Sequence, residues 1–154
     1  MGQRTDPCFA LLAVALAGIA FSVPCAADDD RPTTTAVAPQ TLAAGVVAYY
    51  FHGSFRCRTC RTIEAHSEEA IRSEFADEFG SGRLAWRVVN VEEPENEHFV
   101  KDFELVTRSL VLAEYRDGEV IRWENLKQVW QLVRDKEQFL EYVRSSTRKF
   151  LQED

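Results

Sequence analysis

Two cysteines three residues apart, in Cys57-Arg58-Thr59-Cys60, are the side chains of this 154-residue chain best suited to do chemistry. They follow the apolar run 46–51, Val-Val-Ala-Tyr-Tyr-Phe, and lead into a stretch, 61–79, that reads as an amphipathic helix. Positions i and i+3 share a helix face, so the two sulfurs can meet. A thiol at a helix start also faces unpaired backbone N–H groups and the positive end of the helix dipole, which favour thiolate. A strand followed by Cys-x-x-Cys at the mouth of a helix is a dithiol–disulfide redox site in outline. Two other readings stay open. One is a structural disulfide, although joining cysteines this close removes little loop entropy. The other is half of a metal site. Zinc asks for four ligands, and only His52, His66 and His98 could add nitrogens. Of these, His66 falls on the apolar stripe of the helix.

The rest of the chain must position this pair in a suitable compartment. Residues 9–23 are almost wholly apolar, follow Arg4 and end near Cys25-Ala26-Ala27, ahead of Asp28-Asp29-Asp30. That pattern predicts a secretory signal peptide over 1–27, cut after Ala27. The alternatives are an uncleaved anchor and, with Ser22-Val23-Pro24 as a poor lead-in, a lipidated Cys25. The membrane is expected to hold the chain only through such a leader or lipid. Cleavage would remove Cys8 and Cys25 and leave the dithiol as the remaining cysteines, so the pair is there to react. Residues 28–40, rich in Asp, Thr and Pro, read as a tether, and 41–154 as one domain. The net charge of −7, without a basic patch, argues against nucleic acid as a partner.

Within the domain, 46–51 reads as a strand buried on both faces. The helix over 60–79 places Ile63, His66, Ala70, Ile71, Phe75 and Phe79 on one stripe, and Gly80-Ser81-Gly82 ends it. A second strand over 84–91 completes a βαβ unit with parallel strands. A short helix is expected over 95–104 after Pro94. Strands over 110–115 and 119–123 are joined by Arg116-Asp117-Gly118, a hairpin signal. Residues 125–133 read as a short helical turn or an irregular link. Asp135 caps a last long helix with Gln138 as its capping-box partner. The predicted order is β-α-β-α-β-β-α, a central mixed sheet flanked by helices, with the dithiol where open α/β sheets place their sites. This arrangement resembles the thioredoxin fold over 41–154.

The resemblance extends to particular segments. Tyr49-Tyr50-Phe51-His52-Gly53-Ser54-Phe55-Arg56-Cys57-Arg58-Thr59-Cys60, Trp86-Arg87-Val88-Val89-Asn90-Val91, Glu93-Pro94-Glu95-Asn96-Glu97-His98-Phe99 and Ser109-Leu110-Val111 resemble a thioredoxin-like family. That family is described as the ArsF-type subunit of a nitrophenyl-compound nitroreductase. It occurs in exported bacterial proteins, beside membrane proteins similar to the cytochrome c biogenesis thiol transporter. The resemblance implies a periplasmic thiol–disulfide oxidoreductase or electron carrier. Its implied partners are a membrane thiol-transfer protein and a disulfide or thiol protein substrate. The alternative is a dithiol that captures metal or metalloid ions, since trivalent arsenic favours paired thiols. Thioredoxins carry a cis-proline facing the dithiol, whereas this chain reads Thr107-Arg108-Ser109-Leu110 there, so Ser109 or its neighbour fills the place. Thioredoxins also bury an Asp behind the dithiol. The run 46–51 holds no acid, which leaves His52 as the candidate for proton handling.

In this reading Cys57 is the more exposed, attacking sulfur, and Cys60, one turn in, resolves the mixed disulfide. Arg56, Arg58 and Arg61 are expected to stabilise the Cys57 thiolate and make it a better leaving group. Phe55 could rim the site for a partner or simply pack. Trp86, Trp123 and Trp130 read as packing residues, and 92–97, Glu-Glu-Pro-Glu-Asn-Glu, as a solvated loop and helix start. No Gly-rich phosphate loop or flavin or nicotinamide fingerprint is present, so no cofactor is expected. Any nitro reduction would need a cofactor-bearing partner.

Overall fold

The computed structural model describes residues 44–152, so the expected leader, the tether and the last two residues lie outside the described residues. The central strand β1 (Ala44–His52) carries the apolar run and lies between β2 (Leu84–Asn90), parallel to it, and β3 (Ser109–Arg116), antiparallel to it. β4 (Glu119–Asn125) pairs with β3, which gives the order β2-β1-β3-β4. Parallel neighbours need a long crossover rather than a tight turn. Here α1 (Arg58–Glu74) and α2 (Ala76–Gly80) supply it. The β3–β4 connection turns on Asp117 and Gly118, both at positive φ, as a two-residue hairpin requires.

Side chains alternate across β1. Val46, Ala48 and Tyr50 join Ile63, Ala70 and Ile71 of α1 with Phe139, Val143 and Phe150 of α5 (Lys136–Gln152) in one core. Val47, Tyr49 and Phe51 face the opposite way and meet Phe103 and Phe99, the latter on the short α3 (His98–Asp102). Both faces of the strand are therefore covered, the physical reason its sequence is continuously apolar. This strand order, these directions and the dithiol just past the end of β1 make a thioredoxin-like fold.

Several boundaries differ from those read in the sequence. The first helix starts at Arg58 rather than Cys60, with Cys57 as its N-cap, and it breaks at Phe75. Phe75 is buried and leaves helical geometry (φ −114°, ψ 40°), and α2 then brings Phe79 against the core. Ser67, rather than His66, takes the buried position in the middle of α1. The His66 ring sits partly exposed at the margin, edge-on to Phe139. The expected helix over 95–104 is instead a 3-10 turn, Pro94–Asn96, followed by α3. In the 125–133 link only α4 (Val129–Leu132) is helical. Asp135 accepts the Gln138 backbone N–H at 3.1 Å, and the Gln138 amide donates back to the Asp135 carboxylate rather than bonding its backbone N–H.

Candidate active site

Cys57 and Cys60 form a disulfide with their Cα atoms 5.1 Å apart. The pair sits where β1 has ended and α1 begins, so the sheet fixes the approach of one and the helix fixes the other. Cys60 is 2% exposed, whereas Cys57 is partly open to solvent. As N-cap, Cys57 accepts the Cys60 backbone N–H on its sulfur at 3.1 Å. Orphan N–H groups in the first turn of a helix favour negative charge. The same geometry would hold a Cys57 thiolate once the disulfide is opened. No acidic residue lies in the first turn of α1 to oppose it.

Beneath the pair lies Tyr50, fully buried, whose hydroxyl donates to the Cys60 carbonyl at 2.7 Å. Burial pushes its phenol up to about 12, against the pull of Arg56 and Arg108, so it stands as a neutral donor at physiological pH. The sequence reading passed over this residue as one more apolar position of a strand. The signal was there, because a buried tyrosine needs a partner for its O–H. The backbone ahead of Cys57 is held from two sides. Glu92 accepts the Ser54 N–H at 3.0 Å, and its carboxylate lies so close over Gly53 that a Cβ there would displace it. That hydrogen bond, with smaller contributions from Arg108 and His52, holds the Glu92 carboxyl below the usual range. From the other side Arg108 donates to the Phe55 carbonyl at 3.0 Å, and the Trp130 indole donates to the Arg108 carbonyl at 2.9 Å. Sequence reasoning missed Glu92 and the polar role of Trp130, and reached Arg108 only as an unnamed neighbour of Ser109. All three reach the site from distant elements.

The remaining candidates fall as follows. Arg56 forms an ion pair with Glu64, one turn beyond Cys60, so its charge is partly neutralised. Arg58 is exposed and carries no ion pair among the described residues. His52 ends β1, and its Nδ1 is hydrogen-bonded to the Gly53 carbonyl at 2.9 Å. Among the described residues no hydrogen bond joins it to either cysteine. Ser109 is buried opposite Phe51, where its hydroxyl donates to Thr107 O at 3.0 Å and accepts from Asn125 at 3.3 Å. Its oxygen therefore ties the loop together, and it is Arg108 that reaches the segment before the dithiol. The stretch 92–97 is likewise more than a solvated loop, since Glu93 and Asn96 bond Asn90 as Glu92 bonds Ser54.

Two openings lie along the segments that carry the dithiol, neither of them lined by Cys57 or Cys60. One, of about 210 Å³, is lined by His52, Gly53, Glu92, Val106 and Arg108. The other, of about 740 Å³, lies beside Arg58 and Thr59. Phe55 (74% exposed) and Val106 (96% exposed) give the site an apolar rim. Among the described residues, no group of three or more His, Cys, Asp or Glu side chains is gathered to hold a metal ion, and no helix is long and apolar enough to cross a membrane.

No family model matches the sequence, and no curated protein sequence matches it significantly. Among solved structures the chain is similar to the first two thioredoxin domains of Naumovozyma dairenensis Eps1p, at 18% identity and a TM-score of 0.43. That match covers 76% of this chain, which spans only 40% of the Eps1p fragment. It is also similar to oxidised thioredoxin O2 from Arabidopsis thaliana (18% identity, TM-score 0.37, 62% of this chain and 75% of that one). Oxidised mitochondrial thioredoxin 3 from Saccharomyces cerevisiae gives 17% identity and a TM-score of 0.34, over 58% and 77% of the two chains.

Proposed function

We propose that this chain is a thiol–disulfide oxidoreductase that works through Cys57 and Cys60. The observation that carries the reading is the asymmetry of the pair. The outer sulfur caps a helix and is open to a partner, while the inner one is buried within bonding distance of it. In the reducing direction the Cys57 thiolate attacks a substrate disulfide. A Cys57–substrate S–S bond forms, the substrate S–S bond breaks, and the departing substrate sulfur takes a proton. The Cys60 thiolate then attacks the Cys57 sulfur, closes the intramolecular disulfide and releases the second substrate thiol. Two electrons pass from the dithiol to the substrate, and a partner dithiol returns them by the same exchange in reverse. Relative potentials decide the direction.

Tyr50 and the α1 N-terminus hold the first helical turn through these exchanges, and Arg108 and Glu92 hold the segment that presents Cys57. The apolar stretch 9–23 supports an exported, periplasmic chain, and the family resemblance implies a membrane thiol-transfer protein as its partner. The resemblance to the nitroreductase subunit would then make this protein the thiol electron carrier for a cofactor-bearing partner. Substituting Cys60→Ser tests the reading. The variant should accumulate mixed disulfides at Cys57 that reductant releases. A variant that loses metalloid affinity and traps no thiol partner would point to ion capture instead.

A further inference from the structure

We propose that this dithiol selects disulfides carried on acidic polypeptide segments. The inference rests on the redox reading above and adds its substrate class. The 740 Å³ groove beside the dithiol is lined from α1 by Arg58, Thr59 and Thr62, and from the segment leading into α5 by Trp130, Val133 and Arg134. No carboxylate lines it. Arg58 and Arg134 are both exposed, and neither forms an ion pair among the described residues, nor does Arg61. Other cations are matched: Arg56 to Glu64, Arg72 to Glu68, Lys136 to Glu69 and Arg148 to Glu74. Neither of the acids nearest the groove in sequence pairs with these arginines: Glu64 is bound to Arg56, and Asp135, still charged, caps α5 through Gln138. A chain of net charge −7 therefore keeps arginines without ion-pair partners among the described residues beside its reactive sulfur.

Charge of one sign in a concave site draws in partners of the other sign and turns away like-charged ones. An arginine fork also matches a carboxylate in geometry. The Trp130 N–H is already bound to Arg108 O, so its ring offers the groove an apolar surface. Phe55 and Val106 project from segments that do not line this groove and are strongly exposed. A small disulfide would not cover both the groove and this rim. An extended chain would, with an apolar residue near its cysteine and carboxylates beyond.

The test uses the reduced protein, a neutral small disulfide (hydroxyethyl disulfide) and two peptides of equal length, each closed by one disulfide and flanked by Glu or by Lys. The Glu peptide should be reduced with a second-order rate constant on the order of tenfold above that of the Lys peptide, with the gap closing as salt is raised. Arg134→Glu should remove most of that ratio. Arg72→Glu, with the same charge change at a site away from the groove, should preserve it. Equal rates for the two peptides, or a ratio unchanged in Arg134→Glu, would overturn the acidic-substrate inference while leaving the oxidoreductase intact. If neither peptide nor hydroxyethyl disulfide is reduced, the redox reading falls and this inference with it.

Discussion

Replacing Tyr50 with phenylalanine keeps a fully buried ring in place and removes one hydroxyl, and with it the 2.7 Å hydrogen bond to the Cys60 carbonyl. A buried neutral hydrogen bond is worth about 1 kcal/mol net. In a domain of this size that lowers Tm by about 4 °C. The phenol adds a second signature. Burial raises it from 10.0 to about 12, so between those values the unfolded chain gives up a proton that the folded chain keeps. The unfolded state then binds fewer protons, and stability falls as pH rises through that window. One proton corresponds to a slope of at most about 1.4 kcal/mol per pH unit. Burial also raises Tyr115 and Tyr142, so the wild type carries an alkaline slope from all three. Tyr50→Phe should be shallower by up to one proton's share. Urea denaturation of the oxidised protein, at neutral pH and across the alkaline range, measures both effects. An unchanged midpoint at neutral pH together with an unchanged alkaline slope would refute the buried, hydrogen-bonded phenol.

Other perturbations have equally definite outcomes. Trp130→Phe removes the indole donor to Arg108 O. It should cost about 1 kcal/mol and speed amide exchange in the 107–109 loop, as read by native-state hydrogen exchange. Glu114 is 5% exposed and bonded to both Arg116 and Arg122. Glu114→Ala should lower the unfolding free energy by about 2 kcal/mol, less than for a fully buried pair because both arginines keep access to water. Glu92 titrates below its usual value when folded, chiefly through the Ser54 N–H. Its stabilisation is therefore present above the unfolded value of 4.5 and lost as pH falls below it. Glu92→Gln should flatten that acid limb in a pH series of urea midpoints.

How far the fold could be read in the sequence follows from which forces are local. The run 46–51 announced a strand covered on both faces, and Asp117-Gly118 a tight hairpin, because burial and positive φ act at those residues. The single helix expected over 60–79 broke at Phe75 because burying that ring and seating Phe79 outweighed helical continuity, a decision made by the core rather than by the local sequence. His66 and Ser67 exchanged places for a similar reason, since a shift of one residue rotates the buried face of a helix. At the site, the cysteines were legible from spacing alone. Their supports were not. Tyr50 hid among apolar neighbours, while Arg108, Glu92 and Trp130 come from the β2–β3 connection and α4, brought in by the sheet order. Ser109, picked out by analogy with a proline position, holds the loop through its own hydroxyl, and its neighbour Arg108 faces the dithiol segment.

The central claim is that Cys57 and Cys60 exchange two electrons reversibly. Equilibrating the protein with graded ratios of reduced and oxidised glutathione, then alkylating and counting blocked thiols by mass, tests it directly. The account predicts one cooperative two-electron transition confined to these two cysteines, with a midpoint that assigns the protein as reductant or oxidant. A pair that stays oxidised at every ratio, or thiols that resist alkylation until a chelator is added, would contradict it.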